Sequence, residues 1–324
     1  MADRQSSHKE CSATLAGSCV GICVLMFGLL LCSAATPVYS APSASEQSVS
    51  EQFQGRINAV AQSLGSNAQL KKLSLQQREN LVEFITGNML FVMLHELAHA
   101  TVDEFRLSVL GREEDAADDF AVLRLLTVGT DFSHRILVEA TKGWFLSDRR
   151  DRKDGEKLVF FDEHGLDQQR AYQIVCLMVG SDPAQFKDLA DETKLPEDRR
   201  QSCQNNYGKI SMSWDTVLKP HRRSAEQPKI NIEVTYGEGK GKFDAYAKGF
   251  RDLRLLEAVA ERTEDNLAWP APFALEMQTC GFINARWVVT TRKLTLCYEL
   301  AADFAELYRD FDSPRTAKKK RKSK

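Results

Sequence analysis

The chain has no CxxC pair and few histidines or prolines: six His and nine Pro serve 324 residues. The missing CxxC spacing excludes a cysteine-based zinc site. Scarce histidine makes any two of them in register informative. The basic excess that nucleic-acid binding needs is missing too. Net charge is −2, and the last ten residues, RTAKKKRKSK, carry seven positive charges and no negative ones. The first forty residues are balanced, so removing the tail's seven charges leaves −9 for residues 41–314. An acidic core of this kind is not expected to read nucleic acid. The tail, 313–324, is read as a solvated, disordered extension. Beyond residue 35, no stretch is read as apolar enough to span a bilayer.

The run TLAGSCVGICVLMFGLLLCSAA, residues 14–35, has no charge. Small residues follow it, and Val38-Tyr39-Ser40 before Ala41 resembles a cleavage site, so residues 1–40 are read as a signal peptide. The run is also long enough for an uncleaved membrane anchor. Either way the remainder is expected to be exported, periplasmic or extracellular. Four cysteines lie in the first forty residues (Cys11, Cys19, Cys23, Cys32) and four beyond them (Cys176, Cys203, Cys280, Cys297). An even number in an exported protein predicts two disulfides, with three possible connectivities. Pairing by nearness in sequence gives Cys176–Cys203 and Cys280–Cys297.

Periodicity predicts an α+β fold that is mostly α. Residues 36–52, rich in Ser, Ala, Pro and Gln, read as a linker, with 41–74 a linker and N-terminal segment. A helical domain is expected over 75–224. It opens with one long helix, or two joined near Gly87, and a second helix runs through EEDAADDFAVLRLL. Further helices fit 133–146, 168–180, 184–193 and 197–218, and SDRRDRKDGE (148–157) reads as a charged surface loop. A smaller α/β part is expected over 225–312. Its strands are KINIEVTY, PFALEMQTC, ARWVVT and KLTLCYEL, with helices at 244–264 and 299–311.

The stretch MLHELAHATVDEFRLSVLGREEDAADDF holds the chemistry. Residues four apart on a helix share a face, so His95 and His99 can present ring nitrogens to one Zn2+ ion. Glu96, beside them, is placed to take a proton from an attacking water. A hydrolytic zinc site needs a third protein ligand. Glu114 and Asp118 are four apart on the next helix, on a stripe of small Ala residues that permits close packing. Glu114 is expected at the metal and Asp118 behind a ligand His, fixing its tautomer. Glu113, on a stripe through Ala116, Ala117 and Phe120, is the alternative third ligand. Asp115 and Asp119 are expected to be solvated, and Arg112 to pair with one of the acids.

HExxH followed by LGREEDAAD resembles the zincin metallopeptidases of gluzincin type. More narrowly, HELAHATVDEF, LSVLGREEDAADDFA, DEHGLDQQRAYQIVCLMVGSDP and LPEDRRQSC resemble a bacterial metallopeptidase family. CGFINARWVVTTRKLTLCYEL is similar to its C-terminal part, so the likeness covers most of 80–310. The resemblance implies zinc held by His95, His99 and Glu114, with Glu96 as base, in a zincin-like helical site.

Weaker candidates remain. His164, in FDEHGLDQQR, can cap a helix or donate to a tetrahedral intermediate. Tyr172 and Tyr298 are other possible donors. His134 and His221 read as surface or helix-end residues. Trp144, Trp214, Trp269 and Trp287 read as core. FVMLHELAHATVDEF also echoes LTLCYELAADFAELY, either as a degenerate repeat or as a coincidence between amphipathic helices. The expected function is amide hydrolysis by an exported zinc peptidase acting on a peptide or protein. The alternatives are a non-catalytic metal-binding or interaction module, and a zinc amidase of cell-wall peptides.

Overall fold

A capping box opens the first described helix, α1 (Ala44–Ser63). The Ser43 side chain accepts the Glu46 N–H, and the Glu46 carboxylate accepts the Ser43 N–H at 2.8 Å. Phe53, Ile57 and Ala61 then fall on one buried stripe. The stretch read as a linker is therefore helix from Ala44 onward. The computed structural model describes residues 42–67 and 70–312. The charge-free run 14–35, the cysteines within the first forty residues, the cleavage position and the basic tail lie outside the described residues.

Helix α2 (Leu75–Phe105) is continuous for 31 residues, from a Ser74/Gln77 capping box to Arg106, whose φ of 52° ends it. Among the described residues it is long and apolar enough to cross a membrane, contrary to the reading that no stretch after residue 35 is. Yet 78% of its most apolar window is buried, which fits the central helix of a core. Helix α3 (Glu113–Val128) and helix α4 (Asp131–Asp154) pack on it.

Glycine sets the α2–α4 approach. A Cβ on Gly87 would sit 3.0 Å from the Glu139 Cβ, and one on Gly143 would lie 1.7 Å from the Asn88 Oδ1. Asn88 is fixed there, because its amide donates to the Phe84 and Glu139 carbonyls. Gly143→Ala is therefore expected to cost about 1–3 kcal/mol in urea unfolding. An unchanged midpoint would show that Asn88 can move aside freely.

Helix α4 runs to Asp154, so most of the segment read as a charged surface loop is helix. Its charges are spent along the helix. Asp148 pairs with Arg152 four residues on, Arg150 reaches Asp303 at 2.7 Å, and Arg149 and Lys153 lie over Phe311. Gly155, at φ 78°, closes the helix.

Helices α5 (Asp167–Ser181), α6 (Lys187–Glu192) and α7 (Glu197–Leu218) follow, and the Cys176–Cys203 disulfide ties α5 to α7. The remaining chain adds β1 (Ile232–Tyr236), α8 (Asp244–Leu253), α9 (Leu255–Asn266), β2 (Phe273–Gln278), β3 (Ala285–Val288), β4 (Lys293–Cys297) and α10 (Tyr298–Leu307). The expected single helix over 244–264 is two, broken at Arg254 with φ 55°. Strand order is β1-β2-β4-β3, parallel except for the β3–β4 pair, which leaves β3 at an edge beside α2. The Cys280–Cys297 disulfide joins the loop after β2 to the end of β4. The fold is α+β and mostly α, and one core runs from Phe53 on α1 to Ala301 on α10.

The echo between the two ELA stretches is not a repeated structure. Leu294–Cys297 is strand where Phe91–Leu94 is helix. Glu299 accepts the Cys280 and Gly281 amides. Cys280 and Cys297 lie near it, but their sulfurs are bonded to each other and offer no thiolate to a metal.

Candidate metal centre

The HELAH segment sits past the middle of α2, where the chain is buried by its neighbours. His95 is 4% exposed, so its ring has little contact with water. Burying such a ring is costly unless both nitrogens are engaged. The His95 Nδ1 lies 2.8 Å from the Asp118 Oδ1, and its Nε2 lies 3.0 Å from the Glu114 Oε2. Both acids come from α3, one turn apart. Ala117 and Ala121 on α3 and Ala98 and Ala100 on α2 are buried, and side chains this small permit a close approach.

Three imidazoles meet at one carboxylate oxygen. The Glu114 Oε2 lies 3.0 Å from the His95 Nε2, 3.5 Å from the His99 Nε2 and 2.8 Å from the His164 Nε2. The two HELAH nitrogens are 3.2 Å apart. Each ring is held from behind by an acid at Nδ1: Asp118 for His95, Glu113 for His99 at 2.7 Å, and Asp162 for His164 at 3.2 Å. Glu113 thus stands behind His99, on the side away from the shared oxygen. His164 arrives from the loop before α5, half-exposed, with its ring stacked 5.9 Å from that of His95.

Asp118 is itself anchored. Arg170 of α5 donates Nε and Nη2 to its two oxygens, both at 2.7 Å, and lies 3.7 Å over the Trp144 ring. Burial raises the Asp118 pKa, but Arg170 and then His95 outweigh it and hold it low. Burial also opposes charge on His95 and His99, yet their acids prevail. His95 is raised by Asp118 and Glu114, and His99 is raised to about 9 by Glu114 and Glu113. His164 is raised mainly by its bond to Glu114. Glu114, opposed by burial, is held far below the carboxylate range by the three rings. The surrounding acids thus favour positive charge at this cluster.

This donor set fits a divalent metal. Four ligands at about 2.0–2.1 Å in a tetrahedron lie about 3.3 Å apart. The nitrogens and oxygen present are 2.8–3.5 Å apart in the pairs given above. Fixing each Nδ1 against an acid leaves Nε2 as the coordinating atom. His95, Glu114 and either His99 or His164 could hold the ion, and the His95, Glu114 and His164 donors lie within 4.8 Å of one another.

Glu96 points to the sheet. Its Oε2 accepts the Trp287 N–H of edge strand β3 at 2.8 Å. Nothing in the sequence links these positions, 191 residues apart. The Arg170 clamp on Asp118 was likewise not read from the sequence. The only signal for it is its place one turn into the helix after His164.

Other expected residues sit elsewhere. Tyr172 donates to the Thr193 carbonyl and Tyr298 to the Gly237 carbonyl, so neither hydroxyl joins the cluster. Asp115 is exposed and paired with Arg112 at 2.9 Å. Asp119 is not solvated as expected. It is half-buried against α5, accepts from the Gln173 amide at 2.9 Å, and burial pushes its pKa up to about 7. His134 is buried rather than at the surface, 2.8 Å from the Gln185 amide, and burial lowers its pKa. His221 packs its ring 4.5 Å from that of Phe105.

A family model described as "Putative metallopeptidase" matches residues 32–218. Neither the curated proteins nor the solved structures give a match. The match spans more than half of the chain and contains every residue of the His/Glu cluster, so the chain belongs to that metallopeptidase family.

Proposed function

We propose that this protein is an exported, zinc-dependent peptidase that hydrolyses amide bonds with an activated water. The observation that carries the reading is the meeting of the His95 and His99 Nε2 atoms at one Glu114 oxygen, each ring braced from behind by an acid. His95, His99 and Glu114 would hold the ion. Zinc bound there supplies Lewis acidity to a carbonyl oxygen and to water. Glu96 takes the proton of the attacking water on Oε1, which has no hydrogen bond among the described residues, and delivers it to the leaving amine. His164, half-exposed at the rim, donates to the oxyanion as the carbonyl becomes tetrahedral. Asp118 and Arg170 keep the His95 ring in place.

Two disulfides support export, since they persist in oxidising compartments. The charge-free run 14–35 would direct the chain there or anchor it. An acidic core disfavours nucleic acid as partner and leaves peptides or proteins as substrates.

The direct test is metal content together with peptide-library cleavage, with and without chelator. About one zinc per chain is expected, and cleavage that chelator abolishes. Metal-free protein with intact HELAH would sink the reading. Glu114→Ala should lower zinc affinity more than Glu113→Ala, because only Glu114 faces the Nε2 atoms. The reverse order would show that Glu113 is the ligand.

One observation favours a second reading, a non-catalytic metal module. The His164 Nε2 is 2.8 Å from Glu114, close enough to serve as a fourth donor and close the site. His164→Ala separates the two. As a transition-state donor its loss leaves zinc content unchanged and lowers kcat about 10²-fold. Loss of zinc in that variant would make His164 a ligand and favour the module.

A further inference from the structure

Helix α2 has two faces. His95, Glu96 and His99 lie on one, and Leu94, Leu97 and Thr101 on the other, at the three- and four-residue spacing of a single stripe. That second face borders a cleft of about 120 Å³ that the metal centre does not use. Its walls are apolar: Phe53 of α1, Leu94 and Leu97 of α2, Ile136 of α4, Val259 of α9, and Trp269. Apolar cavities near this size, roughly 150 Å³, stay dry and take hydrocarbon ligands.

Two arginines line the cleft, Arg124 of α3 and Arg262 of α9, with Thr263 and Asn266 beside them. Arg262 has an acid, Glu46, at 2.7 Å. Arg124 has none: among the described residues it makes no hydrogen bond or ion pair, and its only contact of this kind is the Phe120 ring at 5.8 Å. It is partly buried. Burial, then repulsion from Arg262 and Arg222, lowers its pKa to about 10. A partly buried guanidinium without an acid beside apolar walls is open to an anion. Its planar fork of donors matches a carboxylate in two-point contact.

We propose that this cleft binds a single-chain carboxylate amphiphile, with its hydrocarbon among the apolar side chains of α1, α2, α4 and α9 and its carboxylate on Arg124. The hydrocarbon lies along the back of the metal helix. The anion meets a cation that has no acid partner among the described residues. The inference is independent of the metal chemistry, because no residue lining the cleft is a member of the His/Glu cluster.

The test uses the full chain and hexanoate, octanoate, decanoate and dodecanoate below micelle-forming concentrations. Decanol and decylamine are the controls. Trp269 lines the cleft, so saturable binding should change tryptophan fluorescence and raise Tm. One of the carboxylates should bind one per chain and clearly more tightly than the alcohol or the amine. Arg124→Met should weaken it by about tenfold or more, while raising the Tm of the ligand-free protein by removing the unpaired charge. Arg124→Lys should keep part of the affinity. Ala258→Phe leaves Arg124 in place and fills the cleft, so it should also block binding. If Arg124→Met does not fold, these last two variants decide the matter. Amine binding equal to that of the carboxylate, or full affinity in the folded Arg124 and Ala258 variants, would overturn the proposal. So would binding that disappears on chelator treatment, which would put the carboxylate at the metal centre instead.

Discussion

Glu96→Gln is expected to keep zinc and fold and to lose about 10²–10⁴ of the peptide-hydrolysing rate, the range a general base supplies. The substitution is unusually clean here. The Glu96 Oε2 accepts the Trp287 N–H, and the glutamine amide oxygen can accept the same bond. The contact between α2 and β3 survives, and only the proton-accepting oxygen is lost. Glu96→Ala removes both, and so should also lower the unfolding midpoint. Zinc content, Tm and kcat measured on the two variants separate the roles. Hydrolysis by Glu96→Gln at the wild-type rate would remove Glu96 as the base. A fall in Tm for Glu96→Gln as large as that for Glu96→Ala would make it a structural residue.

The largest stability effect is expected at Asp118. Asp118→Ala leaves the Arg170 guanidinium buried between α3 and α5 without its acid, and leaves the His95 Nδ1 without a partner. Breaking one half of a buried, bidentate pair typically costs about 3–5 kcal/mol. Loss of the brace behind a ligand His typically costs about 10–100-fold in metal affinity. Urea unfolding of the metal-free protein reads the first effect, and zinc competition against a chromogenic chelator reads the second. Replacing both partners, Asp118→Ala with Arg170→Met, should recover much of the stability but none of the zinc affinity. If the single variant unfolds at the wild-type urea concentration, the pair is not holding α3 to α5. If its zinc affinity is unchanged, the brace on His95 does no chemical work.

The parts of this molecule that were legible in the sequence are those governed by short spacing. His95, Glu96 and His99 are one helical turn, and Glu114 and Asp118 are another, so periodicity alone placed each set on a shared face. Glu114 faces the Nε2 atoms and Asp118 stands behind His95, in the register read from that spacing. Local signals were also present where composition hid them. Ser43-Ala44-Ser45-Glu46 is a capping box inside a Ser-rich stretch, and it starts a helix rather than a linker. The 148–157 run looked like a loop because it is charged. Its charges are spaced for pairing along a helix and against Asp303 and Phe311. Arg254 breaks its helix in the left-handed region with neither Gly nor Pro to announce it.

What spacing could not reveal was long-range. Asp119 is half-buried because α5 lies against it, and that depends on how the helices stack. Arg170 reaches back 52 residues to Asp118, and the Trp287 amide reaches 191 to Glu96. Such contacts are fixed by tertiary packing and leave no periodic mark.

The bond from Trp287 to Glu96 also bears on how much chain the site requires. The stretch that places this protein in its family ends at residue 218, and every nitrogen and oxygen of the His/Glu cluster lies within it. The strand that steadies Glu96 does not. A chain stopped at that limit would retain the residues for gripping a metal but lose the wall against which Glu96 rests. It would also bare the side of α2 that β3 and β4 cover. On the proposed mechanism, hydrolysis would need the sheet as well as the residues that would hold the metal.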